Sequence, residues 1–115
     1  MIEAFRWGVF EAFLDPGIGS EQAGRRPVMV VSNDRFNNAM PSVTVLPLTS
    51  TMRTLYPSEV SLPAEAAGQP QASIAMAHQV RTISKTRLRR QIGTLTDPLL
   101  QRDIEAAIRS HFDLD

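Results

Sequence analysis

The sequence predicts a mainly β (α+β) domain: a small, strongly bent antiparallel sheet or barrel followed by one C-terminal α-helix. Three observations carry that reading. Short runs rich in Val, Ile, Thr and aromatic residues recur up to Leu95, divided by Gly, Pro, Asn and Asp. From Asp97 onward the apolar period changes to three and four residues. At 115 residues, the chain suits one domain spanning 1–115, with no linker and no internal repeat.

Arg6 to Leu14 reads as the first strand, with Trp7, Val9, Phe10, Ala12 and Leu14 in imperfect alternation before the turn signal Asp15-Pro16-Gly17. The run Val28-Met29-Val30-Val31 has the length and β-branching of a buried second strand, ending at Ser32. Asn33 to Asn38 is polar and turn-prone, and is expected to be a long connection or a mobile lid. Ser42 to Thr49 is the third strand; Pro47 cannot donate to a ladder and marks an edge, a bulge or an end. A loop through Leu55-Tyr56-Pro57 leads to a short strand from Glu59 to Leu62, and Pro63 to Gln71 is a surface loop by composition. Ser73 to Ala77, Val80 to Ile83 and Leu88 to Leu95 are further short strands. Asp97-Pro98 starts a helix, with Asp as N-cap and Pro in the first turn, and Leu100, Ile104, Ala107, Ile108 and Phe112 form one apolar stripe to pack on the sheet. Such a sheet is expected to cover its core on one side only, and association into a dimer would bury the other surface.

The composition removes several classes of function. Cys is absent, so disulfides, thiol nucleophiles and thiolate metal sites are excluded; His78 and His111 lie far apart, and neither a metal nor another cofactor is expected. No apolar run approaches a membrane span and the N-terminus has no signal-peptide pattern, so the expected location is the cytoplasm. Formal net charge is zero, which argues against general electrostatic attachment to nucleic acid. The charge is nonetheless uneven: Arg81, Lys85, Arg87, Arg89 and Arg90 form a basic run, readable as a binding face or as a solvated strand and turn.

The stretch with most chemical content is Gly17 to Pro27, which combines three glycines, Ser20, Glu21, Arg25 and Arg26 ahead of the second strand. Gly19 and Gly24 have the spacing of a phosphate-binding P-loop, but Arg25-Arg26-Pro27 and a strand follow where Lys, Ser or Thr and a helix are required. The nucleotide-binding reading therefore fails. A flexible loop ending in an Arg that Pro27 pushes toward an extended conformation is still well suited to hold a phosphate.

The block Gly19-Ser20-Glu21-Gln22-Ala23-Gly24-x-Arg26-Pro27-Val28, followed by Val30-Val31-Ser32-Asn33-Asp34, Pro47-Leu48-Thr49-Ser50 and Gln79-Val80-Arg81-Thr82-Ile83, resembles the MazF/PemK-like toxin family over nearly the whole chain. The resemblance implies a small SH3-like barrel of the PemK/CcdB type, homodimeric, acting as a metal-independent, sequence-specific endoribonuclease on single-stranded RNA. It also implies a bacterial toxin that arrests growth and is neutralised by a cognate antitoxin protein. The family's functional Arg falls on Arg26, its Thr on Thr49, its loop Ser and Glu on Ser20 and Glu21, and its Gln on Gln79. Two positions depart from the family: Arg6-Trp7-Gly8 stands where Arg-Gly-Asp or Arg-Gly-Glu is usual, and His78 where an acidic residue often precedes the Gln.

Cleavage without a metal can use the substrate's own 2′-hydroxyl, leaving 2′,3′-cyclic phosphate and 5′-hydroxyl ends. Arg26 has the planar fork to bridge two phosphate oxygens, or it forms an ion pair with Glu21 or Asp34. Thr49 has a hydroxyl to hold the phosphate in line, although Thr is common in strands for other reasons. Glu21 is the loop's one carboxylate, either a general base or a structural partner of Arg26. Ser20 orders the loop. Arg25, Asn37, Gln79 and Arg81, with Phe36, Asn38 and Tyr56, supply the stacking and hydrogen-bonding groups that read unpaired bases. A non-catalytic CcdB-like toxin that binds DNA gyrase is the rival reading, and such proteins lack the Gly-Ser-Glu-Gln-x-Gly-x-Arg-Pro loop.

Overall fold

In the computed structural model, which describes residues 4–14 and 24–114, seven antiparallel strands and two α-helices are found among the described residues. The strands are β1 (Gly8–Leu14), β2 (Gly24–Val30), β3 (Ser42–Thr49), β4 (Glu59–Leu62), β5 (Ser73–Met76), β6 (Arg81–Ser84) and β7 (Leu88–Thr94). Helix α1 (Asp34–Ala39) joins β2 to β3, and α2 (Pro98–His111) follows β7. The sheet order is β4-β5-β3-β2-β1-β7, with β6 also paired to β3. No helix among the described residues is long and apolar enough to cross a membrane.

Strand β3 is the element that the others share. One edge pairs with β2, setting Val28 opposite Pro47 and Val30 opposite Val45. The other edge is divided: Ser42 to Val45 pair with Ser84 to Arg81 of β6, while Leu48 and Thr49 pair with Ala75 and Ile74 of β5. Pro47, which has no N–H to give, lies where β3 passes from one partner to the next.

Apolar residues are buried on both faces of the sheet, not on one as its size suggested. Val9, Met29, Leu46, Leu48, Leu62, Leu95 and Ile104 form a core under α2. Ala12, Leu14, Val28, Val30, Val43, Val45 and Ile83 form a second core on the opposite face. Alternation along β2 explains the division, because Met29 belongs to the first core and its neighbours Val28 and Val30 to the second. Helix α2 begins as its sequence predicts: the Asp97 carboxylate accepts the Leu99 N–H at 2.9 Å and Pro98 occupies the first turn. Phe112, the last residue of the expected stripe, is its C-cap and remains 53% exposed.

The segment from Asn33 to Asn38 is a helix rather than a connection or lid. Asn33 Oδ1 caps it by accepting the Phe36 N–H at 2.8 Å, so the polar residues that suggest a turn instead start a helix. Inside it, Asn37 is fully buried and donates to the Ser32 carbonyl at 2.8 Å and to Asp34 Oδ1 at 3.0 Å. Asp34 also accepts the N–H groups of Phe5 at 2.9 Å and Arg6 at 3.0 Å, locking the entry to β1 onto this helix. Burial opposes the Asp34 charge, but these hydrogen bonds outweigh it and hold the carboxyl below its ordinary range.

The family departure at Arg6-Trp7-Gly8 also acquires a structural account. Trp7 has φ of 69°, a left-handed conformation that favours Gly, and its N–H and carbonyl bridge Val30 and Leu95 at 2.8 and 2.9 Å. A Cβ on Gly8 would meet Phe10 Cε1 at 2.8 Å and the Phe5 carbonyl at 2.9 Å. Trp7 packs against the core under α2, and Gly8 leaves the room that Phe5 and Phe10 occupy.

Candidate active site

Arg26 lies within β2, opposite Ala12 of β1, so the strand begins before Pro27 and not after it. Pro27 still enforces extended backbone at Arg26; the β1 ladder simply carries that conformation back to Gly24. The β2–β3 pairing ends at Val28 opposite Pro47, and Arg26 and Thr49 each lie two residues beyond it on their own strand. Both therefore project from the same face as Val28, Val43 and Val45, at the end of the face that α2 leaves uncovered.

Thr49 is at the last position of β3 and is half-buried. Its Oγ1 accepts the Thr51 N–H at 3.2 Å, which fixes the oxygen at the strand end and leaves the hydroxyl proton to be donated elsewhere. Arg81 opens β6 opposite Val45, so it shares this face further along β3. Gln79 closes the short 3-10 turn Ala77–Gln79 that leads into β6, and its Nε2 contacts Met76 Sδ at 3.9 Å.

The other expected site residues are placed differently. Arg25 is on the opposite face of β2 from Arg26, well exposed and 3.9 Å from the Glu11 carboxylate. Asn37 faces inward, and its amide serves Ser32 and Asp34 rather than solvent, so the RNA-reading role expected of it is replaced by a structural one. Ser20 and Glu21 lie outside the described residues. Asp34, expected as an alternative ion-pair partner of Arg26, is occupied by Asn37 and by backbone N–H groups of the β1 entry.

The segment that follows Thr49 in the chain and leads to β4 carries a polar cluster that sequence reasoning missed. Glu59 has a fully buried carboxylate that receives Arg53 in a fork, at 2.7 Å from Nη1 to Oε1 and 2.9 Å from Nη2 to Oε2. The Tyr56 N–H donates to Oε1 at 2.8 Å, and His78 Nε2 lies 2.8 Å from Oε2. The Arg53 fork, helped by these other hydrogen bonds and against the penalty of burial, holds the Glu59 carboxyl down at about 2. The pairing likewise raises Arg53 above its ordinary value. A carboxylate at the inward-facing first position of a four-residue strand was the available signal, but Arg53 and His78 lie six and nineteen residues away.

A family profile described as PemK-like, MazF-like toxin of type II toxin-antitoxin system matches residues 5–112. The chain is 37% identical to Endoribonuclease MazF9 of Mycobacterium tuberculosis over 114 residues, covering 95% of this chain and 96% of that protein. It is 36% identical over 102 residues to Endoribonuclease EndoA of Bacillus subtilis, covering 88% of each. Among solved structures, an endoribonuclease in complex with its cognate antitoxin, from a mycobacterial species, superposes with a TM-score of 0.78 at 26% identity, covering 98% of both chains.

Proposed function

Because the chain belongs to the PemK-like, MazF-like toxins of type II toxin–antitoxin systems, we propose that it is a metal-independent, sequence-specific endoribonuclease that cuts single-stranded RNA. What supports this reading is the pairing of β2 with β3 together with strand alternation, which gives Arg26 and Thr49 the same face as Val28 and Val45: a cation and a hydroxyl on adjacent strands. A phosphodiester lying between them meets a guanidinium fork on one side and a hydroxyl donor on the other.

In this mechanism the substrate 2′-oxygen attacks the adjacent phosphorus as its proton passes to a base, for which Glu21 is our candidate. The bond from phosphorus to the 5′-oxygen then breaks, and that oxygen takes up a proton. Arg26 neutralises the charge that accumulates on the equatorial oxygens, and Thr49 holds the phosphate in line with the attacking group. Gln79 and Arg81, at the entry to β6, contact the flanking nucleotides. The protein would act in the cytoplasm as a homodimer whose RNA-binding surface is occupied, in unstressed cells, by a cognate antitoxin.

The purified protein is expected to cut single-stranded RNA in the presence of EDTA, leaving a 2′,3′-cyclic phosphate and a 5′-hydroxyl. A single 2′-deoxy substitution at the cut position should abolish cleavage and preserve binding. Mapping fragment termini checks both statements: a 5′-phosphate, or loss of cutting on chelation, would remove the proposed chemistry.

A further inference from the structure

The cluster around Glu59 ends in an exposed aromatic ring. Tyr56 is 56% exposed, yet it is not loose: its N–H is held by Glu59, and the Arg53 guanidinium lies 4.0 Å from its ring centroid. The His78 ring meets Tyr56 edge-on at 6.2 Å. Glu59 thus fixes the cation beneath the tyrosine, the imidazole at its edge and its backbone, all through one buried carboxylate. The segment carrying the ring starts at Thr49 itself, and Gln79 follows His78 directly.

We propose that Tyr56 is a specificity-determining residue, a rigid shelf on which one unpaired base of the RNA stacks beside the cut site. This rests on the ribonuclease reading and deepens it. Arg53 covers one face of the ring, and its charge is already matched by Glu59, so the cluster is not built to bind phosphate. What it offers outward is a flat aromatic face whose motion has been removed in advance, the form of surface on which bases stack.

The test uses a single-stranded RNA that the wild-type protein cuts, made uncleavable by a 2′-deoxy group and carrying an abasic site at each position in turn. Tyr56→Leu should bind the intact oligonucleotide about tenfold more weakly than wild type, and Tyr56→Phe within about twofold. At one nucleotide position the abasic substitution should weaken wild type and Tyr56→Phe but have no further effect on Tyr56→Leu. Equal affinity of Tyr56→Leu and wild type, or abasic losses identical in both, overturns the shelf while leaving the nuclease in place. If Tyr56→Leu changes only self-association in sedimentation, the ring is a protein contact and the proposal is likewise wrong. Should the wild type cut no member of a random-sequence RNA pool, the ribonuclease reading and the shelf fall together.

Discussion

Arg26→Ala is expected to lower the cleavage rate constant by about 10²- to 10³-fold while leaving the melting temperature close to that of the wild type. The size follows from removing one preorganised cation aimed at a phosphate that gathers charge as the 2′-oxygen attacks. The small effect on stability follows from position: Arg26 lies on the exposed half of β2, before the three buried residues Val28, Met29 and Val30 that anchor the strand. Arg26→Lys should recover only part of the rate, since an ammonium keeps the charge and loses the fork that bridges two oxygens. Single-turnover kinetics on a saturating oligonucleotide, alongside thermal melts, separates these outcomes. Wild-type turnover by the alanine variant would remove Arg26 from the mechanism; a large drop in melting temperature would show that it is a structural cation.

Glu59→Gln is expected to cost on the order of 3 kcal/mol of stability at neutral pH and to flatten the acid limb of the stability curve. The wild-type carboxyl is held at about 2 when folded, against an ordinary 4.5, so the unfolded chain binds its proton first. The stabilisation is therefore complete above pH 4.5 and disappears as pH falls toward 2. Arg53 is partly exposed and can be hydrated once its partner is neutral, which keeps the loss below that of stranding a buried charge. Asp103 of α2 lines the same shallow cleft as Glu59, so comparing Glu59→Gln with Asp103→Asn assigns the acid limb to one carboxylate. Melts of each protein between pH 2 and 7 should show the wild type and Glu59→Gln diverging through that window as pH rises. A gap that does not change with pH would mean that the glutamine merely packs badly.

Part of this architecture could be read before any coordinates. Strands β1, β3 and β7 show themselves as short runs bounded by turn signals, with an imperfect alternation in the first, and α2 through Asp97-Pro98 and its apolar stripe, because those signals are local. The short helix α1 was hidden because Asn33, Asp34, Asn37 and Asn38 favour turns and helix starts alike, and only the bond from Phe36 N–H to Asn33 distinguishes the two. The second core was hidden for a different reason. Its valines alternate along the strands with apolar residues of the first, so a run such as Val28 to Val31 looks the same whether one face or both are buried. Within the site, the sequence indicates the side-chain chemistry of Arg26 and Thr49 but not that their strands are neighbours, which depends on a pairing between strands joined through a helix. Glu59 illustrates the same limit, since its partners are assembled by the path of the chain and not by any spacing.

The division of β3 between two neighbours has a consequence for how the molecule opens. It has partner strands along both edges, whereas among the described residues β4, β6 and β7 have one neighbour each. Partial unfolding should therefore peel from these three strands inward, with β3 released only in the global transition. Thr49 is held at the end of the segment that lets go last, so breathing at the periphery leaves the hydroxyl in place.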